Sequence, residues 1–317
     1  MTRNEIRFPS GEDMCAAWHY VGQGDDLASE VGRPCVVMAH GFSATRDSGL
    51  EGFAAEMAAV GADVLVFDYR HFGASEGQPR QVLSPKRQRE DYAAAVSYAR
   101  SLPGVDPERI VLWGVSFAGG HVIQVGAQDP RIAGVIALTP ATDGLATLLS
   151  IMGREGPIFG MKLTALGLRD QLGALRGRDP LLAPSVGPAG EPAALTAPGA
   201  LEAMKSIAGP TWRNEVAARI FLRVGMYAPG RFAGKLTCPL LVQIGDEDQT
   251  VPPASSMKAA VKGRAEVRHY PCDHFDVYPG GSAYDLVVAH QVAFLRHHLG
   301  RDAEAAEERR DQVGQTA

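Results

Sequence analysis

Short apolar runs alternate with longer stretches of helical spacing over most of the chain. "CVVMA" (35–39), "VLVF" (64–67), "IVLWGV" (110–115), "GVIALT" (134–139) and "LLVQI" (240–244) are each too short for a helix and rich in β-branched residues. They predict buried parallel strands. Between them, Phe53, Met57 and Val60, and then Tyr92, Ala95, Val96 and Ala99, fall at the spacing of helices that cover such strands. Strand and helix in alternation predict an α/β fold, a mostly parallel doubly wound sheet with both faces covered. Ahead of it, "EIRFPS" and "CAAWHYV" flank the polar turn "GED" and predict an antiparallel hairpin at the sheet edge.

The pattern changes after Asp143. Residues 144–235 hold no strand run, and 177–200 is dense in proline, glycine and alanine, as in a lid or a mobile loop. Strands resume with "LLVQI" and "AEVRHYP" (265–271), followed by an amphipathic helix over about 284–299. The expected organisation is a core of residues 1–143 and 235–300, a helical cap insert over 144–234, and a charged tail over 301–317 that the composition reads as frayed or disordered.

Composition narrows the function. A chain of 317 residues, 45% hydrophobic, with net charge −5, carries no basic field of the kind nucleic-acid binding needs. No apolar stretch is long enough to span a bilayer and the N-terminus has no apolar h-region, so a cytoplasmic protein with no membrane partner is expected. A homodimer stays open. Cys15, Cys35, Cys238 and Cys272 form no CxxC pair and read as buried thiols rather than disulfides or metal ligands.

The chemistry concentrates around "VLWGVSFAGG" (111–120). Ser116 follows a strand and precedes the helix "FAGGHVIQVGA", with Gly114, Ala118, Gly119 and Gly120 close by. That is the strand–turn–helix context of a nucleophile elbow, although a serine opening a helix can also be a simple N-cap. A serine hydroxyl needs a base and a group that orients the base. "VQIGDEDQTVPP" offers Asp246, Glu247 and Asp248 beyond one strand, and "YPCDHFDVYPG" offers His274 beyond the next, both at the carboxyl edge. Ser116, Asp248 and His274 run in the chain order Ser…Asp…His used by this elbow chemistry. Asp143 is another candidate acid, while His40, His71 and His121 are alternatives to His274.

These residues resemble the α/β-hydrolase superfamily over about 1–142 and 237–299. The resemblance implies that "MAHGFSA" supplies an oxyanion donor through the backbone N–H of Phe42, with the N–H of Phe117 as the second. It also implies that the G-x-x-D pattern selects Asp248, and that "DYRHFGASEG" is a structural turn, which leaves Asp68 without a catalytic role. Ala118 departs from GxSxG by one methyl group. "PRQ" (79–81), "WGVSFAGGH", "WRNEVAAR" (212–219) and "YAPG" (227–230) further resemble a bacterial and fungal group of serine hydrolases and related polyketide acyltransferases.

The function implied is a serine-dependent acyl hydrolase acting on a small-molecule ester, lactone or thioester, with Ser116, Asp248 and His274 as a triad and an acyl-enzyme intermediate. It needs no metal or organic cofactor. An acyltransferase using the same triad, or a catalytically dead binding protein, are the alternatives. Bulky apolar residues of the insert, Phe159, Trp212 and Phe221, are expected to line an acyl pocket.

Overall fold

The computed structural model describes residues 3–300; the tail expected over 301–317 lies outside the described residues. The chain opens with β1 (Arg3–Ser10) and β2 (Asp13–Tyr20), antiparallel across a turn containing Gly11. Then come β3 (Arg33–Ala39), α1 (Glu51–Ala59), β4 (Asp63–Phe67), α2 (Pro85–Ala99), β5 (Val105–Val115), α3 (Phe117–Gly126) and β6 (Ile132–Leu138). After a long insert the alternation resumes at β9 (Leu240–Gly245), with α7 (Pro253–Gly263), β10 (Glu266–Tyr270) and α8 (Tyr284–Leu299). Among the described residues eight strands form the main sheet in the order β1-β2-β4-β3-β5-β6-β9-β10, all parallel pairings except that β2 runs antiparallel to both of its neighbours, β1 and β4. The mixed, doubly wound sheet expected from the pattern is therefore present.

Successive strand residues point to opposite faces, and both faces are covered, which is why these strands read as unbroken apolar runs. In β3, Cys35, Val37 and Ala39 pack with Tyr92 of α2 and Val122 of α3, while Val36 and Met38 pack with Phe53 of α1 and Phe294 of α8. The four cysteines are free; Cys15, Cys35 and Cys272 are buried and Cys238 is half-buried.

The insert contributes no strand to this sheet. It contains α4 (Gly144–Glu155), α5 (Pro157–Ala174), a two-residue strand β7 (Leu182–Ala183), α6 (Ala200–Ile207) and a second two-residue strand β8 (Val216–Ala217), followed by 3-10 turns over 218–235. β7 and β8 pair antiparallel, a small ribbon that the sequence pattern did not register because neither strand is long enough to show a period. Asp170 anchors the base of the insert: burial raises its pKa, but bonds from the Arg219 guanidinium (2.7 and 2.9 Å) and from the Arg219 and Leu181 amides outweigh that and hold it below the ordinary range.

Candidate active site

Ser116 joins β5 to α3 with φ 57° and ψ −116°, a conformation that L-residues rarely adopt. Its amide donates to Leu138 O (2.9 Å) and its carbonyl accepts from Ala141 N (2.8 Å), so the turn is fixed to the end of β6. The small neighbours have specific causes. A Cβ on Gly114 would collide with the Ala118 backbone, and one on Gly119 would sit 2.9 Å from Pro140. Close approach thus falls on the backbone of residue 118, and the methyl group of Ala118 is accommodated in the core, fully buried.

The Ser116 hydroxyl does not cap α3. Its Oγ lies 3.0 Å from His274 Nε2, and His274 Nδ1 lies 2.6 Å from Asp248 Oδ2. Asp248 Oδ1 accepts the amides of Thr250 (2.8 Å) and Val251 (2.7 Å), which fixes the carboxylate plane. All three side chains are almost fully buried. The parallel sheet explains the convergence: Ser116 follows β5, Asp248 follows β9 and His274 follows β10, all at the carboxyl edge.

Asp273 is a residue the sequence reading missed. Its Oδ1 accepts both the His274 amide (2.7 Å) and the Gln249 amide (2.9 Å), so one carboxylate ties the loop of Asp248 to the loop of His274. The available signal was an aspartate within a turn, a residue type that bonds nearby backbone amides.

The other candidates are engaged elsewhere. Asp246 meets the exposed His269 (2.6 Å), Glu247 is exposed, and Asp143 caps α4 by accepting the Leu145 and Ala146 amides, both at 3.1 Å. His71 donates through Nδ1 to Pro79 O (2.9 Å), and Arg87 donates to its Nε2 (3.0 Å). His121 lies in α3 between Tyr227 OH (2.9 Å) and the Gln88 amide (3.0 Å); burial pushes its pKa well down, so it stays neutral. Asp68 is buried beside Arg46 Nε (3.3 Å), accepts the Arg46 and Ala74 amides and is pushed up to about 6 by burial.

Phe42 and Phe117 stand on either side of the serine, their rings edge-to-face at 5.5 Å, and both line the same cavity as Ser116. Neither backbone N–H donates to another group among the described residues. His40 Nδ1 donates to Gly41 O (3.1 Å), the carbonyl of the Gly41–Phe42 peptide, and so fixes that plane. Ser43 Oγ and Gln81 Nε2 both donate to Glu215 O (3.1 and 3.0 Å), and Ala217 N donates to Gln81 O (2.8 Å). The "PRQ" and "WRNEVAAR" segments thereby meet. Tyr227 of "YAPG" donates to Phe117 O (3.0 Å) and supports the elbow from below.

The cavity over Ser116 measures about 540 Å³ and is walled by α4, α5, Leu195, Phe221 and Val224. Among the described residues no charged side chain lines it. Phe221 is at the wall with Ile151 and Leu163, whereas Phe159 packs against these three without lining the cavity, and Trp212 packs on a separate cluster with Ala44 and Met204. The expectation that Trp212 and Phe159 line the pocket is corrected accordingly.

The sequence model of the family described as serine aminopeptidase, S33 (Hydrolase_4) matches residues 32–281. The chain belongs to this family of α/β hydrolases. The hydrolase is 39% identical to the quorum-quenching protein AidA of Acinetobacter baumannii (strain MDR-ZJ06), over 92% of this chain and 94% of that one. It is 43% identical to thiohydrolase aneE of Aspergillus aculeatus over 35% of each chain. Among solved structures, the α/β hydrolase GrgF from Penicillium sp. sh18 superposes with a TM-score of 0.78 at 22% identity, covering 94% of this hydrolase and 99% of GrgF. No helix among the described residues of the hydrolase is long and apolar enough to cross a membrane.

Proposed function

We propose that the protein is a serine-dependent acyl hydrolase that cleaves neutral esters, lactones or thioesters bearing an apolar acyl group. The observation that carries this is the unbroken line from Ser116 Oγ to His274 Nε2 (3.0 Å) and from His274 Nδ1 to Asp248 Oδ2 (2.6 Å). With its proton on Nδ1 bonded to Asp248, His274 presents a lone pair at Nε2 to the serine hydroxyl. Ser116 Oγ attacks the carbonyl carbon while its proton moves to Nε2, and the C–O or C–S bond breaks as that proton passes to the leaving group. Water then attacks the acyl-enzyme with His274 again as the base. The free N–H groups of Phe42 and Phe117 receive the oxyanion.

The insert over 144–234 acts as a cap, and its uncharged wall supports an apolar acyl chain rather than an acidic one, because an unpaired carboxylate there would lose its hydration without compensation. The thiohydrolase name supports thioester cleavage, and the quorum-quenching name supports a small signalling molecule as substrate.

Labelling with a fluorophosphonate probe and assay of acyl esters test this reading. Ser116→Ala should abolish labelling and lower kcat by several orders of magnitude with unchanged thermal unfolding, and the product in water should be the free acid. A folded Ser116→Ala protein with near-normal turnover would overturn it.

A further inference from the structure

The outer face of the α4–α5 pair is apolar, and the triad chemistry does not require it to be. α5 buries Phe159, Leu163 and Gly167 on its inner side. On the outer side Ile158, Met161, Leu168, Leu172 and Leu175 are between 49 and 75% exposed, at spacings of three, seven, four and three that align them in one stripe. α4 adds Leu145 and Leu149, one turn apart and more than half exposed. A contiguous stripe of this kind is unlike the single apolar residues scattered over ordinary protein surfaces.

Charge is arranged around it. Lys162, Arg169 and Arg176 recur at every seventh position along one edge of the stripe, all exposed. The exposed charges of residues 144–178 are all basic, since Glu155 is turned inward and Asp170 is buried against Arg219, whereas the whole chain carries −5. The cavity shares this face: Met161 and Leu168 belong both to the stripe and to the cavity wall.

We infer that the outer face of α4 and α5 docks on an anionic lipid surface, which brings the cavity mouth to a substrate dissolved in that surface. Headgroup phosphates meet the basic edge, and the Leu and Met side chains enter the boundary of the acyl region. A second copy pairing through the same patch would set one basic edge against another, with the exposed Asp179 only at the end of that edge. An acidic protein would satisfy the charges but leave long aliphatic side chains against a polar partner. The expectation of no membrane partner rested on the lack of a spanning segment, and peripheral docking needs none. Docking is independent of the triad reading.

Vesicle flotation of the full chain is the test. The protein should float with phosphatidylcholine–phosphatidylglycerol vesicles at low salt, be released by high salt, and ignore pure phosphatidylcholine. Lys162→Glu/Arg169→Glu/Arg176→Glu should weaken binding by at least about a hundredfold, and Leu172→Asp/Leu175→Asp by at least about tenfold. Both variants should keep the wild-type Tm and turnover of a short, water-soluble ester, because these side chains do not line the cavity. Ser116→Ala should float like wild type, which separates this inference from the catalytic one. Failure to float, or variants that float unchanged, would overturn it. So would a dimer in sedimentation that Leu172→Asp/Leu175→Asp dissociates, or capture of an acidic acyl carrier protein without vesicle binding.

Discussion

Ser116 occupies a backbone region whose cost is about 1–3 kcal/mol, and its amide, its carbonyl and the absent side chain of Gly114 together hold it there. The same scale separates the carboxylates. Asp248 and Asp246 are two residues apart, yet only Asp248 reaches the imidazole; Asp246 lies with the exposed His269. Asp248→Asn should therefore lower kcat on the order of 10⁴-fold, because an amide favours the wrong tautomer of His274. Asp246→Asn should change kcat by less than about threefold, as expected for a surface pair. Asp143→Asn should also leave it near wild type, since asparagine caps a helix as well as aspartate does. Parallel kcat measurements on the three variants check this, and a large loss at Asp143 would reassign the acid.

At the level of elements, the central strands were legible because both faces of the sheet are buried, which makes each strand a continuous apolar run. β5 was legible only from Ile110; its first residues, "VDPER", are polar or proline and carry no strand pattern. The positions of Ser116, Asp248 and His274 were legible because each follows a strand of one parallel sheet. The cavity wall was not, since apolarity marks a residue as packed without saying on what. Trp212 and Phe221 look alike in sequence, but one packs on Met204 and the other faces the cavity. Phe221→Ala should thus shift kcat/KM toward longer acyl chains, by roughly 10–200-fold across an ester series, whereas Trp212→Ala should keep the wild-type profile and lower only stability. A Trp212→Ala profile that moved as far as that of Phe221→Ala would place the determinant outside the cavity.

Across the whole molecule, buried ionisable groups tie stability to pH. Burial pushes His40 from its ordinary 6.5 down to about 4. Below pH 6.5 the unfolded chain takes up a proton that the folded chain refuses, so the stability contributed by His40 is complete above pH 6.5 and is lost as the pH falls toward 4. The gap amounts to about 3 kcal/mol. Asp68, pushed up to about 6, acts with the opposite sign: its contribution is complete below its ordinary 3.8 and is lost as the pH rises through 6. His40→Asn, which can still donate to Gly41 O, removes the first effect and also replaces the ring whose Nε2 lies 3.8 Å from Asp68 Oδ1. Urea unfolding at about pH 7.5 and about pH 4 should show the stability of this variant rising relative to wild type by about 3 kcal/mol on acidification. No relative change would mean that His40 is protonated in the folded protein.

The Glu215 carbonyl, shared by Ser43 and Gln81, has a consequence for timing. Lifting the segment around Glu215 would release Ser43, and with it the chain that follows Phe42. Raising the proposed cap and loosening the loop that carries Phe42 would then be a single event. On the proposed mechanism, an acyl-enzyme with the cap raised would lose part of its oxyanion support and wait instead of reacting with whatever solvent enters. Reaction would resume when one carbonyl oxygen is back in place between Ser43 and Gln81.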